Sequence, residues 1–201
     1  MIQVLNSILS TDICTISEKN KKIVIMSSNS VFPEDYVEVD YSERQIKIKE
    51  IHRSNEKIIL ETEDTNRASL VACVLALRLF YPFKRDETVE QLRILIKENF
   101  FEEAYRLLSN HFSSDDYSIG TECCDKVSLM ETGDTADVKY HFEYLAQGAR
   151  LSRAYAVLYN YCKKKNFIEA WCTKNIDLME GEVDINELIE LYMLGYIKQK
   201  R

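Results

Sequence analysis

One stretch limits what this chain can fold into: Asp64 to Tyr81, DTNRASLVACVLALRLFY. Between Ala68 and Tyr81 only Ser69 and Arg78 are polar. The segment therefore predicts a helix that is apolar on nearly every side, and such a helix has to lie between layers of structure. It is too short and too closely flanked by charge to cross a membrane, which takes about 20 apolar residues. Asp64, Thr65 or Asn66 can cap its start. Pro82 ends it, because the residue before a proline is pushed out of helical geometry. The stretch also divides two kinds of sequence. Before it, apolar and polar residues alternate; after it, apolar residues recur at three and four positions.

The alternating part predicts an antiparallel sheet. Ile2 to Leu9 is an apolar opening, a strand or a short helix. Asp12 to Ser17 and Lys22 to Ser27 read as strands joined by a turn at EKNK. Tyr36 to Tyr41 (YVEVDY), Gln45 to Ile51 (QIKIKEI) and Lys57 to Glu63 (KIILETE) follow with links short enough for hairpins. Alternation of this kind puts one face on a core and one in water. A meander whose last strand runs through a capped turn into one long buried helix, Tyr36 to Tyr81, resembles the closing half of a pleckstrin-homology-type β-roll. That resemblance implies a binding module for peptides or lipid headgroups, with no chemistry of its own.

From residue 83 onward the spacing predicts helices. Glu87 to Lys97 and Asn99 to Phe112 each carry one apolar stripe and read as a helical hairpin, with Asn99 as the cap of the second helix. Ser113 to Asp137 is polar and acidic and reads as a long surface loop. Val138 to Lys165, Phe167 to Lys174 and Ile185 to Tyr196 read as further helices. Phe101, Glu103 and Ala104 are echoed by Phe167, Glu169 and Ala170. That pattern is similar to the turns of tetratricopeptide-type helical pairs, whose period is roughly 34 residues, and it implies a groove for protein segments. The expected fold is thus α+β: residues 1–82 as a β-rich domain with a closing helix, and residues 83–201 as a helical bundle carrying the acidic loop 113–137.

Composition narrows the function. A hydrophobic content of 46% supports a packed core. A net charge of −7 argues against nucleic acid as the main partner, because phosphate neutralisation needs a cationic face. The short basic runs Lys19–Lys22, Lys163–Lys165 and Lys198–Arg201 read as solvated turns or helix ends. Six cysteines with no signal peptide before them read as reduced thiols of a cytoplasmic or nuclear protein.

No motif assigns a reaction. Gly181 to Leu188 (GEVDINEL) is similar to the back half of an EF-hand loop, but Ile176 and Leu178 stand where the first two ligands belong and offer no oxygen. Asp184 and Glu187 read instead as helix caps. Cys123, Cys124, His111 and His141 lack zinc spacing. No cofactor is expected. The expectation is therefore a non-enzymatic interaction protein, a small subunit or regulator docking on a larger protein or ribonucleoprotein assembly. One form would be an acidic inhibitor of a basic partner. Twelve tyrosines against one tryptophan support an interface. Its residues are expected among Asp115, Asp116, Tyr117, Asp134, Asp137, Tyr140 and Tyr144. The alternative is an enzyme whose site is assembled from scattered Cys, His and acidic residues.

Overall fold

The alternating first third of the chain forms five strands: β1 (Cys14–Lys19), β2 (Lys22–Ser27), β3 (Asp35–Asp40), β4 (Ile46–His52) and β5 (Asn55–Thr62). They pair in sequence order as one antiparallel meander. The structure, a computed structural model, describes residues 1–29, 34–84, 86–175 and 184–197. The chain is mixed α+β and divides into two units, Met1–Phe83 with Trp171–Arg201, and Lys84–Ala170.

In the first unit, two hairpins turn through residues with left-handed backbone at both central positions. These are Asn20 and Lys21 (φ 54° and 62°) and Arg53 and Ser54 (φ 46° and 72°). That conformation matches the twist of the flanking strands. One face of the sheet presents Ile23, Ile25, Val37, Val39, Ile46 and Ile48, all buried. The other carries a ladder of ion pairs across four strands: Lys22 to Glu38 (2.9 Å), Glu38 to Lys49 (3.3 Å) and Lys49 to Glu56 (3.0 Å). Alternating charge keeps that face in water and spaces like charges apart.

The apolar stretch is helix α2 (Thr65–Phe80), preceded by the short helix α1 (Ile2–Ile8). Asp64 caps α2 by accepting from the backbone N–H groups of Asn66 and Arg67 at 2.8 and 3.1 Å. Every residue from Ala68 to Leu77 is buried. Each Leu or Val so enclosed contributes about 1.5–3 kcal/mol. The buried Ser69 is satisfied by donating to the Thr65 carbonyl at 2.7 Å.

Strands β2 to β5 cover part of α2. Helix α1 and the last helix, Ile185–Leu194, also pack against it. The last helix is capped by Asp184, which accepts from the Asn186 N–H, and ends at left-handed Gly195. It is tied to α2 by the Arg67 guanidinium, which reaches both oxygens of Glu187 at 2.7 and 2.9 Å. Gly195 has a φ of 82°, which glycine adopts without strain, and a Cβ there would also displace the Arg78 guanidinium, 2.5 Å away. The last helix thus belongs to the same unit as the sheet, where the sequence placed it in a separate helical domain.

In the second unit, α3 (Glu87–Lys97) and α4 (Phe101–His111) pack together. Asn99 closes α3 and does not cap α4. It is left-handed (φ 61°), its N–H bonds to the Ile96 carbonyl, and the next N–H, of Phe100, bonds to that of Leu95 at 2.8 Å. This is the helix-ending arrangement that glycine or asparagine makes.

Much of the expected acidic loop and the first part of the helix expected after it, residues 138–150, are instead a sheet, while residues 151–165 are helical as expected. The sheet runs β6 (Tyr117–Ile119), β7 (Val127–Thr132), β8 (Thr135–Tyr140) and β9 (Glu143–Arg150). Strand β6 is parallel to β7 and the others are antiparallel. Ala136, Val138 and Tyr140 alternate inward along β8. Helix α5 (Leu151–Lys174) then runs through Phe167–Ala170 without a turn, so the echo of Phe101–Ala104 marks no repeat. In place of a helical bundle this unit has three helical segments and a four-stranded sheet. The last helix of the chain, already described, is α6.

Asp86 joins two of those segments. It caps α3 through the Thr88 N–H (3.0 Å) and accepts from Lys163 Nζ (2.7 Å) and the Tyr159 hydroxyl (2.9 Å) of α5. The Lys163 ammonium, above all, holds its carboxyl well below the usual range, and the Thr88 and Tyr159 bonds add to this. A carboxyl depressed in the folded state stabilises fully above its unfolded pKa, about 3.9, and the contribution is lost as pH falls through the folded value. Asp86→Asn keeps a capping side chain and removes the charge. We expect it to cost about 1–2 kcal/mol at pH 7, with the gap to the wild type closing steadily below about pH 4. Urea denaturation across that pH range measures it, and a gap independent of pH would remove the charge from the account.

Candidate functional site

Strands β8 and β9 meet in a two-residue hairpin, His141–Phe142, with Tyr140 paired to Glu143 and Lys139 to Tyr144. Both turn residues are left-handed, with φ of 49° and 66°. Asparagine and glycine are the residues this turn favours. Here an imidazole and a phenyl ring occupy it. Phe142 is 61% exposed and Tyr144 is 51% exposed. Lys139 Nζ lies 4.7 Å from the centre of the Tyr144 ring and also bonds to Glu122 at 3.0 Å. Tyr144 of β9 is thus held against Lys139 of the neighbouring strand, with about half of its surface exposed.

Beside the hairpin lies the turn that follows β6. Gly120 (φ 78°) bends the chain back, and its N–H bonds to the Leu129 carbonyl at 2.9 Å. The buried Ser128 of β7 holds the rest. Its Oγ accepts the Cys123 N–H at 2.9 Å and lies 3.0 Å from the Ser118 hydroxyl. This anchoring sets Cys124 against the hairpin. Cys124 Sγ is 3.6 Å from His141 Nδ1, and an Asp125 carboxylate oxygen is 3.9 Å from His141 Nε2. One ligand atom from each of the three lies within 4.8 Å of the others. Thiol and carboxylate face opposite ring nitrogens, whereas a single ion binds one of them. The order thiol–imidazole–carboxylate suits proton relay to a nucleophile better than a metal cage. Asp125 is 93% exposed, which makes it a weak orienting group.

The other sequence-selected residues do not gather at this point. Asp115 is exposed and pairs loosely with Lys126 at 3.7 Å. Asp116 is buried and accepts from the Ser113 N–H and hydroxyl at 2.7 and 3.0 Å. Tyr117 is half-buried in β6, and burial pushes its hydroxyl pKa up. Asp134 is exposed in the β7–β8 turn. Asp137 accepts the Gly148 N–H at 2.7 Å and so braces a bulge in β9. Tyr140 is buried, its ring 4.7 Å from that of His141. Of the set, Tyr140 and Tyr144 lie beside the hairpin turn, and Asp137 lies further along β8.

Of the zinc candidates, His141 and Cys124 come together. His111 sits instead against Tyr159 on α4 and α5. Glu187 of the EF-hand-like segment is taken by Arg67, and residues 176–183 lie outside the described residues. Phe142 and Asp125 carry no sequence signal, because their placement depends on a hairpin whose residues have the spacing of a helix and on a turn that reads as a loop.

Burial separates the six free thiols. Cys14, Cys73, Cys162 and Cys172 are enclosed, while Cys123 and Cys124 are partly open. Desolvation pushes the Cys14 thiol up to about 11 and those of Cys73 and Cys162 further up. A thiol reagent added to the native protein at neutral pH should modify Cys123 and Cys124 first. The other four should follow only on unfolding. Mass spectrometry of the labelled peptides reads the order, and early labelling of Cys73 would contradict the packing of α2.

No protein-family model matches the chain, and no curated protein or solved structure is similar to it, so what the site does has to follow from its own geometry.

Proposed function

We propose that this chain is a non-enzymatic protein-interaction module of the cell interior, a small subunit or regulator that docks on a larger protein or assembly. One observation carries the reading. Phe142 places a largely exposed aromatic ring on a left-handed turn position that favours glycine or asparagine, where the two hairpins of the first unit carry the polar Lys21 and Ser54. A left-handed residue with a Cβ costs about 1–2 kcal/mol, and an exposed phenyl ring repays none of that within the chain. The cost is repaid if the ring is buried by a partner. Tyr144 supplies a second anchor, and aromatic side chains on a stiff support are the usual centres of interfaces. The net charge of −7 favours a partner with a basic surface. An inhibitor masking a basic site and a factor bound to a ribonucleoprotein are two forms of this. The resemblance of Tyr36–Tyr81 to part of a pleckstrin-homology-type roll supports a binding module as well.

Phe142→Gly separates the two roles of that residue. Removing the ring relaxes the turn, so the variant should be more stable by about 1 kcal/mol. In the same protein, co-purification of a stoichiometric partner from extract of its own cells should fall at least tenfold. Unchanged partner recovery from a stabilised variant would defeat the proposal.

A second reading, an enzyme that uses the Cys124 thiol, is favoured by the 3.6 Å approach of His141 Nδ1. It predicts that iodoacetamide alkylates Cys124 faster than its equally open neighbour Cys123, and that His141→Gln abolishes the difference. Equal rates in the wild type would leave the pair as packing.

A further inference from the structure

We infer that the second unit carries a binding site for a compact organic phosphate with two phosphate groups, a sugar or polyol bisphosphate in chemical class. A groove of about 570 Å³ is bounded by α3, β9 and the start of α5. Four cations line it: Arg93, Lys97, Arg150 and Arg153, and among the described residues no acid and no aromatic side chain does. Arg93 pairs with Glu90 at 3.1 Å. Lys97, Arg150 and Arg153 have no carboxylate within ion-pair distance among the described residues. The chain as a whole holds 33 acids against 26 bases, so three unpaired bases beside the Glu90-paired Arg93 run against its composition.

The arrangement also opposes folding. Arg150 and Arg153 flank the first residues of α5, whose first turn contains no acid. Helix N-termini carry partial positive charge, so cations there repel it and each other. A bound anion would relieve that repulsion and would be drawn in by it.

The chemistry of the walls selects the ligand. Three of the four cations are arginines, whose planar forks match phosphate or carboxylate oxygens in pairs. A phosphate monoester carries about −1.5 to −2 charges, so two of them balance the three unpaired cations, where carboxylates would have to number three. The groove lies within the range of roughly 300–1,000 Å³ that small molecules occupy. With no aromatic wall, nothing stacks a base, and the Gln147 amide and Ser152 hydroxyl are suited to the hydroxyls of a sugar or polyol.

A peptide strand is disfavoured. Strand β9 is an edge, but it bulges opposite Asp137, with Gly148 left-handed (φ 57°) and its N–H taken by that carboxylate. A bulge of this kind breaks the ladder that an added strand would need.

The full-length protein and its Arg150→Gln/Arg153→Gln variant test the inference. The probes are inorganic pyrophosphate, a hexose bisphosphate, and phosphatidylcholine vesicles doped with a phosphoinositide. Calorimetry and thermal melting are run at matched ionic strength. The wild type should bind both free phosphates and melt higher with them. The double variant should bind at least tenfold more weakly, yet without ligand melt at the same temperature or higher, because the repulsion at α5 is gone. Co-sedimentation with the doped vesicles, lost in the variant, would make a lipid headgroup the source of the phosphate. Binding of the free phosphates alone would make the ligand soluble. If the double variant does not fold, Lys97→Gln on α3 carries the same comparison. Absence of binding to any probe, equal binding by the variants, or a melting shift reproduced by sodium chloride would overturn the site.

Discussion

The first unit depends on one constraint, that α2 has no polar face. A helix buried on one stripe needs one partner layer; a helix buried at every position from Ala68 to Leu77 needs cover all round. The sheet supplies part of that cover, through the inward residues of β2 to β5. Helix α1 and helix α6 supply more. The chain therefore returns from Trp171 onward to the unit that Met1–Phe83 begins, and Lys84–Ala170 form the inserted unit. The Arg67–Glu187 pair fixes α6 against the start of α2, and its bidentate geometry gives direction to packing that burial alone leaves unspecific.

The inserted unit is organised differently. Its polar groups do much of the positioning. Asp86 ties the beginning of α3 to the middle of α5, Ser128 holds the turn that carries Cys124, and Asp137 braces the β9 bulge. Against that order, two places run against local folding preferences. Phe142 occupies a turn position suited to glycine, and Arg150 and Arg153 crowd a positive helix end. Lys21, Arg53 and Ser54 share the left-handed backbone of Phe142 but are polar side chains that water solvates, so it is the exposed ring, together with the unpaired cations, that supports the proposed contacts with something outside the chain.

The misread region shows how far periodicity reaches. Tyr140 and Tyr144, and Leu145 and Ala149, are four residues apart, and a spacing of four fits a helix and a strand equally, being near one turn of the first and two repeats of the second. The spacing of two in Ala136, Val138 and Tyr140 was the discriminating signal, and the acidic residues around it concealed it. Asn99 was ambiguous for a similar reason, since asparagine suits both the start of one helix and the end of another. The basic groove had no sequence signature at all, because Arg93, Lys97, Arg150 and Arg153 form no charged run. The runs that did stand out are spent internally: Lys163 on Asp86, Lys165 on Glu169 and Lys22 on Glu38.

The sequence by itself determined the meander of the first unit, the length and burial of α2, its Asp64 cap, and helices α3 and α4. These are local matters, set by side-chain period and by capping groups within a few residues. Only the tertiary structure decided that α6 joins the first unit, that residues 117–150 pair as strands, and that Cys124 meets His141. Only it decided that four separate cations share one groove. Each of those outcomes depends on partners distant in the chain, and the energy that selects them, burial and pairing between segments, is not written in the spacing of any one segment.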